Sequence, residues 1–162
     1  MGKVYIYMIS ANNVTLRFGK KALFEDVNIN NDSKSGNYSN LIKNNNGEIS
    51  NLEFDRVTIN SANMSYTGIV GNTSGYINNI KMTEVEVTGT NYVGGLLCYS
   101  DGSNGIENIQ ADNITIQATG TNIGGIVAYN RKNNISNIEI KNSIINGKND
   151  VGGAIGNGAG LD

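Results

Sequence analysis

The chain has 162 residues, with 12 Lys and Arg against 14 Asp and Glu, for a formal net charge of −2 spread along its length. That length suits one domain with a continuous core, and the charge balance excludes a basic nucleic-acid patch and an acidic solvating tail. One cysteine, Cys98, and no histidine exclude an internal disulfide, a multi-cysteine metal site and Ser-His-Asp or Cys-His relays. No apolar run approaches the roughly 18 residues of a membrane helix, so no membrane insertion is expected. Met1 to Met8 is too short for a secretory signal and lacks a small-residue cleavage site. With 29 Asn, 21 Gly and no Pro or Trp, and with Ile and Val leading the apolar set, the chain reads as short strands joined by sharp turns.

The first element runs from Met8-Ile9-Ser10 through Asn12-Asn13-Val14-Thr15-Leu16-Arg17-Phe18-Gly19-Lys20-Lys21-Ala22-Leu23-Phe24-Glu25-Asp26-Val27-Asn28-Ile29. It resembles the opening of an ABC-F type ATPase domain, a resemblance that implies first β-strands and an aromatic near Phe18 against adenine. The G-x-x-x-x-G-K-[ST] phosphate loop that should come next is absent. The nearest Gly-rich phrase, Gly153 to Asp162, offers Leu161 and Asp162 where lysine and serine are needed, and an aspartate would repel a phosphate. The same segment has a second reading. Ala22, Phe24, Val27 and Ile29 fall 30 positions before Leu52, Phe54, Val57 and Ile59, which makes it a candidate first rung. Residues 1–30 are therefore expected to be an ATPase-like start or a first rung, joined near Asn30 to the rest of the chain.

From residue 31 to 162 the chain repeats. Ile49-Ser50-Asn51-Leu52 returns as Ile77-Asn78-Asn79-Ile80, Ile106-Glu107-Asn108-Ile109 and Ile135-Ser136-Asn137-Ile138, with starts 28, 29 and 29 residues apart. A second phrase comes at fixed offset: Val57-Thr58-Ile59, Val85-Glu86-Val87, Ile114-Thr115-Ile116 and a degenerate Ser143-Ile144-Ile145. A third closes the unit: Tyr66-Thr67-Gly68-Ile69, Val93-Gly94-Gly95-Leu96, Ile123-Gly124-Gly125-Ile126 and Val151-Gly152-Gly153-Ala154, with Tyr38-Ser39-Asn40-Leu41 as a weaker early copy. Leu52, Phe54, Val57 and Ile59 turn one way and Glu53 and Asp55 the other, the period-2 pattern of a strand. The two-residue gap between the pairs marks a bend, and the Gly-Gly pairs mark close backbone approach or positive φ. Three strands and three bends per period describe one coil of a right-handed parallel β-helix, an all-β solenoid with coils of about 28 residues. A lone coil turns too few apolar groups inward to offset the entropy of ordering its backbone, so stability must accumulate between stacked coils. Asn51, Asn79, Asn108 and Asn137 should then align at one corner, either as a ladder of amides or each serving its own turn.

The phrase Tyr92-Val93-Gly94-Gly95-Leu96-Leu97, echoed at Ile123 to Val127 and Val151 to Ile155, resembles the GLUG repeat, in which [Y/N]-V-G-G-L-[V/I]-G accompanies an I-x-N-[C/L/V] phrase. The resemblance covers about residues 38–161. It departs at Cys98 and Ala128, where a glycine is usual, while Gly71 and Gly156 keep it. Such repeats belong to large bacterial surface and secreted proteins, which implies a stalk, spacer or ligand-presenting module and no catalytic residue.

Chemistry-bearing residues are few. Cys98 lies in an apolar stretch and reads as core. Glu53, Asp55, Glu84 and Glu86 would share an outer face, either solvated or holding a divalent cation such as calcium. Asp101-Gly102-Ser103-Asn104-Gly105 is only superficially a calcium loop, because no later glutamate completes it. Tyr66, Tyr76, Tyr92 and Tyr99 are candidates for a carbohydrate-stacking strip. No catalytic, cofactor-binding or metal site is assigned, and no cofactor is expected. The leading expectation is a non-catalytic spacer or adhesion module of a cell-surface or secreted bacterial protein, meeting host or cell-wall protein or carbohydrate. The alternatives are a fragment of an ABC-F type ATP-binding protein, incompetent for hydrolysis, and a carbohydrate-active β-helix. Asp162 falls inside a coil, so further coils are expected beyond it; an open end rung would invite edge-to-edge self-association.

Overall fold

The computed structural model describes residues 24, 25, 27–30 and 37–158. Among them there is no helix, and every strand pair is parallel. The chain is a β-solenoid whose coils advance by 26–30 residues between paired positions.

Each coil carries a long strand on one side. These are β4 (Glu48–Asn60), β6 (Tyr76–Gly89), β9 (Gly105–Ala118), and β12 (Asn134–Lys141) with β13 (Ile144–Asn146). They stack in that order, joined at the near end by β1 (Phe24–Glu25) and β2 (Asn28–Asn30). The other sheet holds β3 (Ser39–Asn45) and β5 (Thr67–Thr73), then the split strands β7 (Val93–Gly94) and β8 (Leu97–Ser100), β10 (Thr121–Gly124) and β11 (Val127–Asn130), and β14 (Asn149–Gly152) and β15 (Ile155–Gly158).

The register is the one the repeat predicts. Ile49 pairs with Ile77, Leu52 with Ile80 and Ile59 with Val87, and the same columns continue to Ile106, Ile109 and Ile116. Phe24 pairs with Phe54 and Ile29 with Ile59, so residues 24, 25 and 28–30 form a rung. The earlier part of the ATPase-like segment, residues 8–23, lies outside the described residues, as does the end of the Gly-rich phrase.

In β4, β6 and β9 the long strand turns without breaking, while in the last coil it breaks at the second corner, between β12 and β13. Left-handed backbone stands at Asn51, Asn79, Asn108 and Asn137, and again at Arg56, Glu84, Asn113 and Asn142, the second residue of each two-residue gap. A third such column, Tyr66, Tyr92, Asn122 and Asp150, precedes each Gly phrase. Hydrogen-bonded pairing continues through the first two corners, so two expected short strands merge into one bent strand of 13 or 14 residues.

The glycines do something else. Gly94, Gly124 and Gly152 are not left-handed; a Cβ on any of them would strike the carbonyl three residues on, at Leu97, Val127 or Ile155, well inside 3.0 Å. A Cβ on Gly95 or Gly125 would strike the carbonyl of Gly125 or Gly153 in the next coil. The first glycine permits a sharp fold-back and the second permits coils to stack. At Gly68-Ile69 a Cβ on the single glycine would meet the next coil's carbonyl, at Gly94, and none three residues on; the fold-back is what is missing, and the strand stays whole as β5.

The core is a set of columns. Phe54, Ile59, Ile77, Ile80, Met82, Val87, Leu97, Ile106, Ile109, Ile116 and Val127 are essentially sealed from solvent. In the last coil Ile138, Ile140, Ile145 and Ile155 are only partly buried, and Ile144 points outward opposite Thr115. Ser143 takes the place of Ile114 in the column and accepts a hydrogen bond from the Ile114 amide at 3.0 Å, which accounts for the degenerate copy.

Candidate functional site: a tyrosine-lined face

Outward positions on the long strands carry most of the charge, and register decides which charges meet. Glu53 sits beside Lys81, whose ammonium lies 2.5 Å from its carboxylate; that carboxylate holds the lysine above its ordinary value. Asp55 sits beside Thr83 and pairs with Arg56. Glu84 occupies a corner, and Glu86 lies beside Thr58. The four acids thus do not gather, and no group of three potential metal-ligating side chains exists among the described residues. The reason is arithmetic: a 28-residue step places Lys81 on Glu53 and Thr83 on Asp55, leaving Glu84 with the Arg56 corner. Exposed pairs of this kind contribute little to stability.

The Asp101 loop is tied to its neighbours. Asp101 pairs with Arg131 at 3.1 Å, the Gly102 amide donates to Asn133 Oδ1 at 3.1 Å, and Asn104 Nδ2 donates to the Ser74 carbonyl at 2.7 Å. Cys98 is buried, its sulfur accepting from Asn40 Nδ2 at 3.4 Å, and burial pushes its thiol far up. A thiol so protonated is a poor nucleophile. The Asn corner joins coils at two steps, Asn79 to Asn51 at 2.8 Å and Asn137 to Asn108; the middle step runs from Asn108 to Asn78 at 2.8 Å instead. Both readings of that asparagine hold, since each also supplies the left-handed turn.

Sequence reasoning missed a buried polar column. Asn45, Thr73, Ser100 and Asn130 share one register and are all buried. Asn45 Nδ2 donates to Thr73 Oγ1 at 3.0 Å, and Ser100 Oγ to Asn130 Oδ1 at 2.5 Å. Each residue ends its strand just before the turn into the next coil, and the side chains of Asn45, Thr73 and Asn130 take up backbone groups that the turn would orphan.

The most distinctive surface is aromatic. Two columns flank the Gly fold-back. One is Tyr38, Tyr66, Tyr92, Asn122 and Asp150, each preceding a residue of the aligned set Ser39, Thr67, Val93, Ile123 and Val151. The other is Asn44, Asn72, Tyr99, Tyr129 and Asn157. Tyr38, Tyr66 and Tyr92 stack with centroids 4.9 and 4.6 Å apart. Tyr99 and Tyr129 stack at 5.2 Å and meet Tyr92 edge-on at 6.5 and 5.9 Å. Lys43 stands 5.1 Å from the Tyr38 ring centre. Burial, first, and the neighbouring phenols raise Tyr66 above the usual phenol range.

Of the expected strip, Tyr66, Tyr92 and Tyr99 come together. Tyr76 does not: its hydroxyl donates to Glu107 at 2.9 Å on the opposite sheet. Tyr38 and Tyr129 join instead. Their signal was present, for Tyr129 stands four residues after its second glycine as Tyr99 does, and Tyr38 opens the weak early copy of the third phrase as Tyr66 opens its own. The rings mostly cover one another's faces, and the amides of Asn72 and Asn122 border the stacks with buried Oδ1 atoms that have no partner among the described residues. The face therefore offers ring edges and phenol hydroxyls rather than open ring planes, which is a poor surface for stacking sugars.

No family model, curated protein or solved structure matches this chain.

Proposed function

We propose that the chain is a non-catalytic repeat module of a bacterial cell-surface or secreted protein, serving as a spacer or adhesion scaffold. The observation that supports this most is the rung-to-rung pairing between Phe24 and Gly158 over a sealed core. Such a stack is a stiff block that presents regular columns of outward side chains, and each coil adds roughly 4.8 Å of height. The likeness of the Gly-Gly phrases to GLUG repeats supports the surface setting. Among the described residues the thiol is buried and the carboxylates are dispersed or paired, which suits presentation better than hydrolytic turnover.

The test is a panel of cell-wall polysaccharides and matrix proteins, assayed for both binding and turnover, with ATP titrated by calorimetry. Binding without turnover is expected for at least one macromolecule, with no heat from ATP. Micromolar ATP affinity, or polysaccharide cleavage lost on Glu84→Gln, would replace this reading.

A further inference from the structure

The tyrosine face brings together phenols from successive coils in a way ordinary surfaces do not. Tyr66 and Tyr92 are 26 residues apart in sequence, yet their rings lie 4.6 Å apart and 3° from parallel. Tyr99 and Tyr129 are 30 apart, with rings at 5.2 Å and 5°. Tyr38 extends the first stack at 4.9 Å and 25°, and is 42% exposed, giving an oxidant access at its end. These pairs are held by backbone register, so they persist while the fold does. A second pair of contacts differs: Tyr92 meets Tyr99 and Tyr129 at 63° and 68°.

We propose that the parallel stacks are sites of oxidative coupling, where a peroxide-driven one-electron oxidant joins two phenols into dityrosine and staples one coil to the next. Each phenol loses one electron and its hydroxyl proton. The two phenoxyl radicals carry spin on the ring carbons beside the oxygen, and one Cε from each forms the new carbon–carbon bond. The hydrogens on those two carbons move to the oxygens and restore both rings. The net loss is two hydrogens, which reduce one hydrogen peroxide to two waters. Fixed proximity favours coupling within the chain over coupling between chains. The buried Cys98 thiol near Tyr66 is a competing electron donor; Cys98→Ala removes it and fits, because Ala128 holds the equivalent place in the next coil.

The experiment treats the full chain, at low micromolar concentration, with a haem peroxidase and limiting hydrogen peroxide. Intact mass, dityrosine fluorescence and peptide mapping after cleavage at basic and acidic residues are read. The expected product is a monomer lighter by two or four hydrogens, joined at Tyr66–Tyr92 and Tyr99–Tyr129, with little at Tyr92–Tyr99 or Tyr92–Tyr129. Its yield should exceed that of the urea-unfolded chain by roughly tenfold or more. Tyr92→Phe should abolish the first bond and leave the second. Only intermolecular dimers, the same pair distribution with and without urea, or no coupling in either the parent chain or Cys98→Ala would overturn the proposal.

Discussion

At the second corner of each coil the backbone is left-handed at Arg56, Glu84, Asn113 and Asn142. Asparagine takes this conformation readily, while a longer side chain pays about 1–2 kcal/mol for it. Glu84 should therefore be improvable by its own neighbours' example. Glu84→Asn is expected to raise stability by about 0.5–1.5 kcal/mol, read as a higher urea midpoint at unchanged slope. At Tyr66 and Tyr92 the same cost is offset by ring stacking worth about 0.5–1.5 kcal/mol per pair. The glycines give a sharper contrast. Gly124→Ala pushes a Cβ into the Val127 carbonyl and the Gly156 amide, whereas Gly153→Ala meets nothing within 4 Å. The first should cost about 2–4 kcal/mol and the second less than about 0.5, measured by thermal or chemical unfolding of the two variants side by side.

At the scale of the strand, one column tells how much stacking contributes. Ile80, Ile109 and Ile138 occupy equivalent places on β6, β9 and β12. Ile109 has a coil on each side and is sealed, while Ile138 has one neighbouring coil among the described residues and is partly buried. Ile109→Ala should lose about 3–4 kcal/mol through transfer and cavity, and Ile138→Ala about half that. Equal losses in equilibrium unfolding would mean that coils do not depend on their neighbours. The alternation along each strand is legible in the order of Leu52, Phe54, Val57 and Ile59 alone, because period 2 is a property of extended backbone. What stayed hidden was that β4, β6 and β9 would run on through two corners. A left-handed residue redirects the chain without forfeiting its hydrogen bonds to the neighbouring coils, and residue type at Arg56 or Glu84 does not announce that conformation.

For the molecule as a whole, a stack of coils that each contact only their neighbours need not unfold in one step. Amide exchange should be slowest in β6 and β9, which are covered on both sides, and fastest in β14 and β15, where Val151 is 43% exposed. Uniform protection across the coils, read by native-state hydrogen exchange, would show cooperative unfolding instead. The split of β7 from β8 and of β10 from β11 belongs to this scale too. A second glycine in the phrase adds one residue per coil, which changes the spacing between the two tyrosine columns and their paired rows.

By itself the sequence determined the repeat, its period, the inward and outward sides of each strand, the corner asparagines and the buried nature of Cys98. These come from local covalent geometry and from apolar spacing, both of which act within a few residues. Only the tertiary structure decided who stands beside whom across coils. Lys81 rather than Glu84 faces Glu53, Tyr129 rather than Tyr76 joins the aromatic face, and Asn108 reaches Asn78 rather than Asn79. Those neighbours lie nearly thirty residues apart, so a single inserted glycine or a one-residue change of step shifts every pairing beyond it. Contact along the stack is set by the summed length of each coil, which no single phrase contains.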